Sequence, residues 1–137
     1  MTCSSVIVEF SIDDKVLDVD YITKKLNILP KKSFVKGEIY QNDNMPKPRI
    51  RNFSLWCYSL RSEETYDAEK QIDKILEIIR SKETELLEIH KKYMECNYVL
   101  GIVLKIEDGI APAVVLTPRQ SQLLANNNIT VSIDIYP

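Results

Sequence analysis

The residues of this chain whose types most readily do chemistry are a single histidine, His90, and three cysteines, Cys3, Cys57 and Cys96. Any imidazole acid–base step, and any serine or cysteine nucleophile activated by histidine, would have to run through His90, because the base must lie within hydrogen-bond reach. Its helical neighbours are Leu86, Leu87 and Tyr93, with no carboxylate three or four positions before it, so it reads as a structural histidine at the boundary of an apolar stripe. Zinc needs at least three protein ligands. The four residues are widely separated and show no CxxC, HExxH or His-x-His spacing, so only convergence in space could build a site, and no metal is expected. Gly37, Gly101 and Gly109 are isolated, which leaves neither a phosphate-cradling GxxxxGK loop nor a dinucleotide-binding GxGxxG turn. Asp13-Asp14 and Asp18-x-Asp20 lack the glycine and distal glutamate of a calcium loop; turn formation and helix capping account for them. No catalytic residue and no cofactor is expected.

Charge is the more informative feature. Residues 1–61 carry 10 basic and 7 acidic side chains, whereas residues 62–137 carry 8 and 13, so the molecule is dipolar. Within residues 31–51, Lys31, Lys32, Lys36, Lys47, Arg49 and Arg51 face only Glu38 and Asp43. This stretch precedes Trp56 and Tyr58, and basic groups beside aromatics suit an acidic protein surface, a phosphate or single-stranded nucleic acid. Lys36, Arg49, Arg51, Trp56 and Tyr58 are the candidate binding residues, the cations steering and the aromatics supplying contact area. The mostly acidic helical stretch from Glu63 to Glu95 could meet a cationic partner, or a second copy through the basic hairpin. An overall charge of −2 gives no global positive field, so nucleic acid ranks behind a protein partner or a small anion.

These groups have to be positioned by regular elements, and the hydrophobic periodicity supplies them. Val6, Val8, Phe10 and Ile12 alternate with polar positions as a first strand, closed by the Asp13-Asp14-Lys15 turn. Asp18 caps a helix through Leu26, Asn27 can end it in the left-handed conformation, and Pro30 prevents its continuation. A short strand over Ser33–Tyr40, an exposed loop over residues 41–49 and a strand over Ile50–Leu60 then form a long hairpin. The second arm has two apolar faces, Phe53, Leu55 and Cys57 against Trp56, Tyr58 and Leu60, which predicts a central strand. Ala68, Ile72, Ile75, Leu76 and Ile79 form one helical stripe; a break at Ser81–Glu83 separates it from a second ending before Asn97. Tyr98 to Ile106 alternates as a strand closed by Glu107-Asp108-Gly109. Thr117, Pro118 and Gln120 stand in capping-box order before a short helix containing Leu123 and Leu124, and Ile129 to Ile135 forms the last strand.

Strands joined by a hairpin, with helices apolar on one side, predict one α+β domain over residues 1–137: an antiparallel or mixed sheet packed against helices, a ferredoxin-like two-layer sandwich. With 137 residues, 45% hydrophobic and 28% charged, such a chain buries a core without disulfides. No apolar run approaches the roughly 20 residues of a membrane helix. The opening Met1-Thr2-Cys3-Ser4-Ser5 lacks a basic region followed by a hydrophobic stretch, and the odd cysteine count reads as reduced thiols. A cytoplasmic protein without membrane attachment is expected.

The ordered features also resemble a family, the bacterial domain of unknown function 4279. The matching pieces are Phe10-Ser11-Ile12; Asp18-Val19-Asp20-Tyr21-Ile22-Thr23 leading to Leu26-Asn27-Ile28-Leu29-Pro30; Lys36-Gly37-Glu38; the strand with Trp56 and Tyr58; and Leu123-Leu124-Ala125 followed by Ile133-Asp134-Ile135-Tyr136. Where the family has a glycine after the helical leucine this chain has Asn27, which the same backbone geometry tolerates. The resemblance implies a small bacterial α+β domain and brings no established activity or catalytic residues. The functional expectation is a non-enzymatic interaction module, either an immunity protein that neutralises a toxin or a component of a bacterial complex. Its competitor is an enzymatic or anion-binding domain with a site between sheet and helices, where Arg51 or Lys36 would hold the anion and Tyr58 would donate a hydrogen bond or proton.

Overall fold

The computed structural model describes residues 3–137; Met1 and Thr2, the first two residues of the segment read against a leader peptide, lie outside the described residues. The chain runs β1 (Ser5–Asp14), α1 (Val19–Leu26), β2 (Lys32–Phe34), β3 (Ile39–Tyr40), β4 (Arg49–Ile50), β5 (Ser54–Ser59), β6 (Glu63–Glu64), α2 (Glu69–Ser81), α3 (Glu83–Lys92), β7 (Asn97–Lys105), α4 (Pro118–Asn126) and β8 (Ile129–Tyr136). The main sheet is ordered β2-β5-β1-β7-β8, with β6 extending the β5 side of β1. β1 pairs antiparallel with β5 and β7, β2 pairs antiparallel with β5, and only β7 and β8 are parallel. With β5 between β1 and β2, and β1 between β5 and β7, the first four long-range partners reproduce the ferredoxin-like split-βαβ order. The α4–β8 unit is added beyond β7, the helix supplying the crossover that parallel strands require.

Local chemistry sets the helix ends. The Asp18 carboxylate accepts from the Tyr21 backbone N–H at 3.0 Å, and Asn27 ends α1 with φ 55°, as the sequence predicts. Thr117 and Gln120 make both bonds of the capping box that opens α4. Between α2 and α3 the break falls at Lys82, inside the predicted interval.

The helices cover one face of the sheet. Val6, Val8 and Ile12 of β1 and Leu100 and Ile102 of β7 are fully buried there, against Ile22, Ile72, Ile75, Ile79 and Ile89 from the helices. Each such side chain contributes about 1.5–3 kcal/mol of burial, which makes this seam the molecule's main source of stability.

The hairpin departs from expectation. The Ser33–Tyr40 strand is two pieces, β2 and β3, because Val35, Lys36 and Gly37 turn the chain: the Glu38 N–H bonds the Val35 carbonyl at 3.2 Å and Gly37 sits at φ +96°, where a side chain would be strained. The Ile50–Leu60 strand is likewise β4 and β5, parted at Arg51, Asn52 and Phe53. β3 and β4 therefore form a separate two-stranded ribbon, pairing Ile39 with Ile50 and Tyr40 with Arg49, while β2 and β5 continue in the main sheet. β5 is an interior strand, in accord with its two apolar faces. No described helix is long and apolar enough to cross a membrane.

Candidate functional site

The turn that splits the hairpin also builds a surface cluster of stacked cations and aromatics. The Arg51 N–H donates to the Glu38 carbonyl, and the Gly37 N–H donates to the Arg51 carbonyl, each at 2.8 Å. Lys36 is tied to the opposite arm, its backbone N–H donating to the Ser54 hydroxyl at 3.0 Å. These bonds fix the backbone of both arms where β2 ends and β3 begins. The Arg51 guanidinium carbon then lies 3.9 Å from the centre of the Phe34 ring and 3.5 Å from that of Tyr40. Phe34 packs edge-on against Phe53 at 5.1 Å, and Lys32 places its ammonium 5.8 Å from the same Phe34 ring. A cation between two ring faces is held electrostatically and loses little side-chain freedom on binding. Its N–H edge is left for an acceptor: among the described residues no carboxylate lies in ion-pairing distance of Arg51, Arg49 or Lys36.

The five predicted binding residues do not form one patch. Lys36 and Arg49 are exposed and Arg51 is half-buried, all on the hairpin. Trp56 is fully buried and must be removed from the contact surface: it points to the helix layer, where its indole N–H donates to the Thr23 hydroxyl of α1 at 3.0 Å. Tyr58 lies on the same side, half-buried against the core. The aromatics that do accompany the cations are Phe34, Tyr40 and Phe53. The available signal was symmetry about Gly37, since Phe34 and Tyr40 each stand three residues from the turn glycine and thereby flank whatever the opposite arm presents.

The space between sheet and helices beside Trp56 and Tyr58 is only about 10 Å³ and is lined mostly by apolar side chains, including Phe10, Leu26 and Ile79, with Lys82 as its one charged residue. Neither Lys36 nor Arg51 lines it, so the expected convergence of either of them with Tyr58 is not seen there.

A larger groove of about 430 Å³ lies between α3 and the end of α4, lined by Leu86, Leu87, His90, Met94, Tyr98 and Asn127 among others. His90 Nδ1 stands 3.9 Å from Cys96 Sγ, and the imidazole meets Tyr98 edge-on at 5.1 Å. This proximity was not legible in the spacing, because it depends on the turn between α3 and β7. Burial, reinforced by the Asp14 carboxylate, pushes the Cys96 thiol up to about 11, so it is a packed thiol and not an activated nucleophile. The Tyr98 phenol is likewise pushed up by burial, and its O–H donates to the Leu86 carbonyl. Cys57 on β5 is raised to about 12, by burial first and then by the neighbouring Glu9 carboxylate. All three cysteines are free, and among the described residues no group of three His, Cys, Asp or Glu side chains is arranged to hold a metal.

A family model described as a domain of unknown function (DUF4279) matches residues 2–137. No curated protein and no solved structure matches the chain.

Proposed function

The chain belongs to the domain of unknown function 4279 family, and we propose that it works as a non-enzymatic protein-interaction module whose contact surface is the hairpin around Arg51. The observation that carries this reading is the Arg51 guanidinium clamped between Phe34 and Tyr40 with, among the described residues, no carboxylate in ion-pairing distance. A preorganised arginine with stacked aromatics is the usual composition of an interface hot spot, and Lys36 and Arg49 on the same hairpin extend the positive field that steers an acidic partner. The partner is thus a protein presenting carboxylates at a surface the hairpin can reach. Neutralising a toxin, as an immunity protein does, and holding a place in a bacterial complex are both roles that such a surface serves. Free thiols without a disulfide suit a reducing cytoplasm.

A small anion is the second reading, favoured by the two cations, Lys32 and Arg51, that share the Phe34 ring. It places the anion on the hairpin and not between sheet and helices.

The test is gentle purification at low salt of the chain and of a Lys36→Glu, Arg49→Glu, Arg51→Glu variant from the source cells, followed by native mass. A stoichiometric acidic protein held by the parent and lost by the variant, with unchanged circular dichroism, is the expected result. Retention of the companion by the variant removes the hairpin from the interface. A parent without a companion that binds inorganic phosphate through Arg51 establishes the second reading instead.

A further inference from the structure

The edge of the sheet opposite the hairpin is formed by β8. β8 pairs with β7 on one side and, among the described residues, with no strand on the other. The phase of that parallel ladder follows from one bond, the Ile106 N–H donating to the Tyr136 carbonyl at 2.8 Å. Even-numbered residues of β8 therefore turn their N–H and C=O groups to β7, and Ile129, Val131, Ile133 and Ile135 turn theirs outward. Among the described residues no backbone hydrogen bond reaches those outward groups. Sheet edges are ordinarily guarded by lysines, prolines, bulges or a very short strand. β8 has eight residues with Asp134 as its one charge, and it contains neither lysine nor proline. Its free end is apolar as well: Ile133 is 47% exposed and Ile135 62%, although both lie on the face that carries the helices.

We propose that β8 pairs antiparallel with β8 of a second copy, across a two-fold axis centred on Ile133. The sequence of the strand is compatible with this partner and this register. Side chains stay on their proper faces only when the axis falls on a residue, because the side-chain period is two. An axis on Asp134 would set two carboxylates face to face, at a destabilising cost for like charges directly opposite. Centred on Ile133, each Asp134 meets a Ser132 hydroxyl, Thr130 meets Tyr136, and Val131 meets Ile135. Ile133 meets its own copy, which covers the exposed apolar end. The outward-turned residues 131, 133 and 135 then exchange about six main-chain hydrogen bonds with their counterparts, and the two sheets become one. The hairpins stand at the far ends of this sheet, so the pairing is independent of what they bind.

Sedimentation equilibrium over a wide concentration range tests the proposal with Ile133→Pro and Ile133→Lys. Proline removes an N–H that bonds nothing among the described residues, so the fold is expected to be retained, and lysine is the common guard of natural edges. The parent is expected at twice 15.9 kDa and both variants at 15.9 kDa, with unchanged circular dichroism. Should either variant fail to fold, Ile135→Lys at the more exposed position reads the same interface. A parent that stays at 15.9 kDa overturns the pairing, as does a dimer that survives these substitutions. A dimer lost in the hairpin triple variant but kept in Ile133→Lys overturns it too, in favour of contact through the hairpin.

Discussion

Arg51 stacks on Tyr40 with its guanidinium carbon 3.5 Å from the ring centre, across a ribbon in which Tyr40 itself pairs with Arg49. The stack joins the short β3–β4 ribbon to the main sheet, since the other face of the same guanidinium rests on Phe34 of β2. Cation–π contacts are worth about 0.5–1 kcal/mol each at partly exposed sites. Arg51→Ala is expected to cost about 1–2 kcal/mol by urea unfolding on that scale, and Arg51→Lys to recover only part of it, because a point ammonium cannot face two rings as a planar fork does. A Lys variant as stable as the parent would show that charge alone holds the ribbon.

Trp56 and Thr23 make a second pairing that reaches across layers, indole N–H to hydroxyl at 3.0 Å, between β5 and α1. Thr23→Val keeps the shape and removes the acceptor, leaving a buried N–H unsatisfied. The expected loss is about 1–3 kcal/mol in thermal or chemical unfolding, with Thr23→Ser near neutral. Because Thr23 also donates to the Val19 carbonyl at 3.0 Å, a valine variant whose helix content is unchanged localises the loss to the indole.

The elements that the sequence announced were those specified by neighbours in the chain. Asp18, Asn27 and the Thr117–Gln120 pair act over three or four residues, and each stands where its cap chemistry put it. The hairpin arms were legible as β structure but not as four short pieces, since the alternation from Ser33 to Tyr40 hides a turn that only the φ of Gly37 reveals. Trp56 shows the other limit. Alternation correctly grouped it with Tyr58 and Leu60, yet both faces of β5 are apolar, so the pattern could not say which one the helices would cover. The Arg51 clamp needs Phe34, Tyr40 and Arg51 from three different pieces of that hairpin, and no local period encodes it.

The thiols offer a chemical check on the packing. Cys57 and Cys96 are each 5% exposed, with acidities pushed up to about 12 and about 11 by burial. Only the thiolate is nucleophilic, so at pH 8 both are expected to resist iodoacetamide in the native protein, while half-buried Cys3 reacts. Mass spectrometry should find one adduct in native buffer and three in denaturant. Rapid native labelling of Cys96 would contradict the packed environment described for it and reopen His90 as its activating base.

Lys25 on α1 bridges Glu88 on α3, linking two helices that lie side by side over the sheet. Hydrogen bonding to Lys25 holds the Glu88 carboxyl below its ordinary 4.5, and the same bond to Glu88 raises Lys25 above 10.5. A depressed carboxyl contributes stability that is complete above its unfolded value and is lost as pH falls through the lowered folded value. A raised lysine contributes stability that is complete below 10.5 and is lost as pH rises through the raised folded value. The bridge is therefore at full strength across the interval between the two ordinary values, and fades outside both. Lys25 is half-buried and Glu88 exposed, and salt screens such a partly solvated pair, so its net worth is small. The expected difference in Tm between the parent and Glu88→Gln is accordingly small and constant from pH 6 to 9. It should shrink towards zero as the pH falls below the carboxylate range, and shrink again in high salt at neutral pH. A difference that grows on acidification would mean that Glu88 is stabilised in its protonated form, which the Lys25 contact forbids.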